Sequence, residues 1–272
     1  MCPHPSASSS RLMTVLVLLL LAVRFLYLGV TRFITWPSYP PWLLPSEEVV
    51  TYLLIAVAIY TGRRRLGEFH ITSLALAMFV IAPFLDIAAV VTTHFRLEPY
   101  EWLSRGIEVT SAVLLFAILS RARELKAGLN RDSLLGLSAG IGIGIALGLV
   151  FGTYFVIRDK PSAAVGGLSQ FAALAAFQLR GAAIMEEPLF RGFGWGQLSH
   201  KGWRDTPILL TQALLFSVSH LYYLRFALFS FFVLVPAVGL CLGILARRTK
   251  SIASTVLAHT FINAVAIFWG RV

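Results

Sequence analysis

The chain has 272 residues, of which 57% are hydrophobic and 13% charged, with a mean hydropathy of +0.78. Soluble domains carry about a quarter charged residues, so this composition excludes an ordinary water-soluble enzyme. The net charge of +10 does not point to nucleic acid, because the basic residues sit in short loops between apolar runs, where they mark topology.

Apolar segments predict helices near 12–34, 47–62, 70–93, 102–120, 133–157, 166–190, 206–223, 225–246 and 251–269. Several reach or approach the roughly 20 residues that a spanning helix needs. The predicted fold is therefore all-α, a polytopic membrane helical bundle of about eight or nine transmembrane helices. The first run follows a single cation, Arg11, is too long for a signal-peptide core and lacks a small-residue cleavage site, so it reads as a retained helix. Cys2 and Cys241 lie far apart and form neither a disulfide framework nor a ligand cluster.

Every second loop is basic. Arg63, Arg64 and Arg65 follow the second helix, and Arg121, Arg123, Lys126 and Arg131 follow the fourth. Lys201 and Arg204 follow the sixth, and Arg247, Arg248 and Lys250 the eighth. The loop at 35–46 has no cation, and the one near Arg158 and Lys160 has two. This alternation places the N-terminus in the cytoplasm of an integral, multi-pass protein of the cell membrane. In the fifth helix Gly140 and Gly144 form a small face for close helix packing, within a run that also holds Gly136, Gly142 and Gly148.

The chain divides into scaffold helices over 1–165 and a unit over 166–269 that carries a polar constellation. Ionisable groups at membrane depth are costly and are kept mainly for function. Glu187 and Arg191 are four apart, share a helix face and can pair, leaving Glu186 free. Pro188 lacks an N–H and kinks the helix, while Gly192, Gly194 and Gly196 loosen the chain just beyond it. His220 lies one turn after Phe216, and His259 and Asn263 share a face four apart. This reading puts Glu186 near the cytoplasmic end of its helix and His220 roughly 20 Å along the next one, so the two meet only if a helix tilts or Glu186 lies deeper. Glu47 and Glu48, beside a loop, read as water-facing. Arg24, Asp86, Arg105, Glu108 and Arg180 read as internal ion pairs that orient helices, and the run Tyr222–Phe226 as an interfacial aromatic belt.

Chemically the set is hydrolytic. A screened carboxylate is a competent general base, so Glu186, helped by His220, can deprotonate a water that attacks a carbonyl. His259 and Asn263 can donate to the oxyanion. Gly-x-Ser-x-Gly and His-Glu-x-x-His are both absent.

Glu-Glu-x-x-x-Arg, Phe-x-x-x-His and His-x-x-x-Asn, in this order on successive helices from Glu186 to Asn263, resemble the CAAX protease and bacteriocin-processing (CPBP, or Abi) family of intramembrane endopeptidases. That family includes the type II CAAX prenyl proteases. The resemblance implies a water-activating Glu186 with His220 as partner, an oxyanion pair of His259 and Asn263, and a supporting ion pair of Glu187 and Arg191. It implies a peptide or protein substrate in the membrane, lipidated or not, the lipid bilayer as surroundings, and no nucleic acid. No cofactor is favoured over a metal-free glutamate mechanism, although zinc is possible, since two histidines and a glutamate are a known catalytic zinc set. A transporter and a non-catalytic peptide-binding or immunity protein are the other classes; confinement of the polar positions to one half argues against the transporter.

Overall fold

The computed structural model describes residues 7–28, 40–121, 131–159 and 167–270. The predicted end of the first helix and most of the basic loop at 121–131 lie outside the described residues. Nine helical segments are numbered here in chain order, and no strand occurs among the described residues. They are α1 (Ala7–Leu28), α2 (Leu43–Gly62), α3 (Ser73–Thr92), α4 (Pro99–Arg121), α5 (Arg131–Asp159), α6 (168–200), α7 (Asp205–Val218), α8 (Ser230–Thr249) and α9 (Ile252–Gly270). Six segments among the described residues are long and apolar enough to cross a membrane. The molecule is an integral, multi-pass helical membrane protein.

Local chemistry sets the helix ends. Thr72 caps α3, its hydroxyl accepting from the Ala75 amide at 3.3 Å. After α2 the chain tightens into a 3₁₀ segment, Arg63–Phe69, and turns at His70 with φ +53°. A second left-handed residue, Lys250 at φ +51°, reverses the chain between α8 and α9. Three of the basic segments meet at one end of the bundle. Arg65 lies 3.4 Å from His200, Arg247 pairs with Asp205 at 3.0 Å, and the Ile252 amide donates to the His70 carbonyl at 2.8 Å.

The closest helix pair is α5 with α9. A Cβ built on Gly144 would lie 2.6 Å from the Ala258 carbonyl oxygen, one on Gly148 2.7 Å from Val265 Cβ, and one on Gly152 2.9 Å from Trp269 Cδ1. Gly136 and Gly140 continue the same stripe against Thr249 and Ser254. Backbone contact of this kind requires glycine, and it fixes the helix that carries His259 and Asn263. Gly142, by contrast, has open space beside it.

Helix α6 departs from the sequence expectation. It does not stop near 190 but runs to His200, ending where Gly202 adopts φ +81°. Two π segments, Leu179–Ala183 and Pro188–Gly194, interrupt its α-helical winding. A π turn already skips the usual i→i−4 bond, so Pro188 is absorbed without ending the helix. Gly192 and Gly196 let the backbone at Glu68 and Phe69 lie directly on this widened stretch.

Glu47 and Glu48 also differ from expectation, since they face inward. Glu48 pairs with Arg180 at 2.5 Å, and Glu47 lies 3.9 Å from Arg24. Arg180 further binds Glu108 at 2.6 Å and approaches Asp86 at 3.6 Å, while Arg105 binds Asp86 at 2.8 Å. Five buried or half-buried charges thus tie α2, α3, α4 and α6 together as internal ion pairs.

Candidate active site

Because α6 continues past Pro188, Glu186 and Glu187 fall within the helix rather than at its end. This removes the expected mismatch in depth with His220. Helix α7 stops at Val218, and His220 sits in the turn beyond it, not on a helix as the sequence predicts.

Glu186, His220, His259 and Asn263 all line one cavity of about 310 Å³. Phe151 and Phe155 from α5, Phe216 from α7 and Val235 and Val238 from α8 form apolar walls. Tyr222 and Tyr223 also line it, stacked on each other at 4.6 Å with His220 5.7 Å from Tyr222. The aromatic run expected to form a membrane-surface belt therefore contributes two rings to the cavity wall.

Glu187 and Arg191 lie just behind the cavity and are fully buried. Arg191 Nη1 donates to Glu187 Oε1 at 3.0 Å, and the same oxygen meets His259 Nδ1 at 2.8 Å. A carboxylate can only accept, so Nδ1 is the protonated nitrogen and Nε2 is left for the cavity. The Arg191 guanidinium stacks 4.3 Å above the Phe216 ring, which lies 4.6 Å from His220 and 5.8 Å from His259. Phe216 thus separates and steadies both imidazoles. Its carbonyl also receives His220 Nδ1 at 2.8 Å. A carbonyl accepts only, so a neutral His220 presents a lone pair on Nε2.

That lone pair faces Glu186 Oε2 at 4.0 Å, and Oε2 is buried with no hydrogen-bond partner. The other oxygen, Oε1, is held by Arg24 of α1. Asn263 gives one N–H to Gln178 Oε1 at 2.9 Å and keeps a second.

The six residues singled out in the sequence are therefore gathered, four on the cavity and two immediately behind it. Two others escaped sequence reasoning. Gln178 is eight residues before Glu186, off-face on a regular α-helix. The π segment between them inserts about one extra residue, so the pair behaves as seven apart and returns to one face. Arg24 was visible as a lone cation in an apolar run, but no spacing rule links α1 to α6.

A zinc ion would need Glu186 and two imidazole Nε2 atoms on a shared centre. Among the described residues no three His, Cys, Asp or Glu side chains are grouped to hold a metal ion. A guanidinium also already holds one oxygen of the required carboxylate.

Residues 168–265 match the family model described as Type II CAAX prenyl endopeptidase Rce1-like. That match covers the segment holding Glu186 to Asn263 and is a similarity to the CPBP, or CAAX protease, family of membrane hydrolases. No curated protein and no solved structure matches the chain.

Proposed function

We propose that the protein is an intramembrane endopeptidase that hydrolyses a peptide bond of a membrane-associated or lipidated peptide, using a water activated by Glu186. One observation carries this reading: two acceptors, Glu186 Oε2 and His220 Nε2, face each other across 4.0 Å at the wall of a single cavity. Two lone pairs repel unless a donor lies between them, and a water molecule with two protons suits both. Its oxygen lone pair then points to a substrate carbonyl in the cavity.

Attack transfers one water proton to Glu186 as the C–O bond forms, and the carbonyl becomes an oxyanion. The free N–H of Asn263 donates to it, as does His259 Nε2 when that nitrogen carries a proton; Glu187 supports the imidazole from behind. Collapse of the tetrahedral intermediate breaks the C–N bond, and the proton held by Glu186 passes to the leaving amine. The aromatic and aliphatic walls suit an apolar peptide segment or lipid chain. In this reading the basic end of the bundle and the N-terminus face the cytoplasm, and the protein resides in the cell membrane.

The test is cleavage of a quenched fluorescent peptide carrying a farnesylated cysteine and three further residues, in detergent micelles. Glu186→Ala lowers kcat by about 10²–10⁴-fold, and Asn263→Ala by about 10²–10³-fold. Wild-type rates in both variants would end the proposal. In this metal-free reading a strong chelator leaves wild-type activity intact; abolition by chelator and recovery on adding zinc would reverse that.

A further inference from the structure

The base proposed for Glu186 has a neighbour that the matched motifs do not include. Arg24, on α1, lies outside the matched residues 168–265, yet its Nη2 donates to Glu186 Oε1. Its Nη1 lies 3.9 Å from Glu47 on α2. The charged and titratable groups around Glu186 are Arg24, Glu47, His220, Tyr222 and His259, with Glu187 and Arg191 on its own helix. Of these, Arg24 is hydrogen-bonded to the Glu186 carboxylate.

We propose that Arg24 is a positioning residue for the hydrolytic reaction: by taking Oε1 it aims Oε2 at His220 and keeps the carboxylate charged inside the protein. The inference rests on the proposed role of Glu186 as base. Two physical arguments support it. Glu186 is only 4% exposed, and a buried carboxylate without a countercharge gives up its charge, and with it its basicity. A glutamate also has three rotatable side-chain bonds, and misplacing a reacting group by about 1 Å can cost about 10²-fold in rate. Arginine rather than lysine suits the position, because its planar fork reaches Glu186 with one nitrogen and Glu47 with the other.

The same farnesylated peptide assay tests this. Arg24→Gln lowers kcat by about 10²-fold with KM little changed, and Arg24→Lys retains most of kcat because it keeps the charge. Millimolar guanidinium restores activity to Arg24→Ala and does nothing for Glu186→Ala. Wild-type kcat in Arg24→Gln overturns the inference while leaving the protease reading intact. So does a loss that neither lysine nor guanidinium repairs in a protein of wild-type Tm. Wild-type cleavage by Glu186→Gln sinks both. A measurement free of substrate backs the assay: Arg24→Gln and Glu186→Gln each lower Tm, and the double variant lowers it by less than their sum. Additive losses mean the pair is not coupled, and the inference fails.

Discussion

Glu187 is the residue on which most of the site's geometry converges. One of its oxygens holds both Arg191 and His259, at 3.0 and 2.8 Å. Replacing it with glutamine keeps the shape but removes the negative charge between a buried guanidinium and an imidazole. We expect Glu187→Gln to cost about 3–5 kcal/mol of stability, read as a fall in Tm in detergent, because Arg191 is left buried without a counterion. Peptide cleavage falls roughly 10²-fold as His259 loses its orientation. Unchanged Tm and rate would show that the carboxylate is dispensable. At this scale the sequence was highly legible where a polar residue interrupts an apolar run, as at Glu186, His220, His259 and Asn263. It was less so for Glu47 and Glu48. Proximity to a predicted loop suggested water, whereas their partners Arg24 and Arg180 come from other helices and no local pattern reveals them.

Helices α5 and α9 show how an element far from the chemistry sets it. The glycine stripe at four-residue intervals lets the two backbones touch, and α9 carries two of the proposed catalytic side chains. Gly144→Val places branched carbon atoms against the Ala258 carbonyl, where even a Cβ would lie 2.6 Å away. The helices must separate, so Tm and cleavage fall together. Gly142→Ala, with open space around its Cβ, is neutral or stabilises by up to about 1 kcal/mol through helix propensity. A loss at Gly142 equal to that at Gly144 would mean that backbone flexibility, not packing, is what the glycines provide. The small-residue face could be read from spacing alone. The course of α6 could not, because Pro188 and three glycines ordinarily end a helix. The π segment Pro188–Gly194 takes in Pro188, Gly192 and Gly194, and no local signature in the sequence marks it.

Across the whole molecule, two charge networks join the helices that the sequence had assigned to a scaffold with those carrying the site. Arg180 faces Glu48, Glu108 and Asp86. Arg180→Leu leaves three carboxylates with only Arg105 to balance them. We expect a stability loss of about 3–5 kcal/mol, visible as a lower Tm, with partial recovery when Glu108→Gln is added. Failure of the second change to help would show that the pair is not coupled. The helical membrane class was legible because bilayer thickness acts on whole stretches of sequence. The cross-helix pairs were not, because their partners lie far apart along the chain. Arg24 has an implication for biosynthesis: it precedes Glu186 by 162 residues, so it is synthesised long before that partner exists. Glu47 arrives only 23 positions after it (47 minus 24) and is placed to serve as an interim counterion. The ribosome would thus deliver a neutral hairpin of α1 and α2 first, and the later glutamate would take over one of the arginine's two arms when the sixth helix inserts.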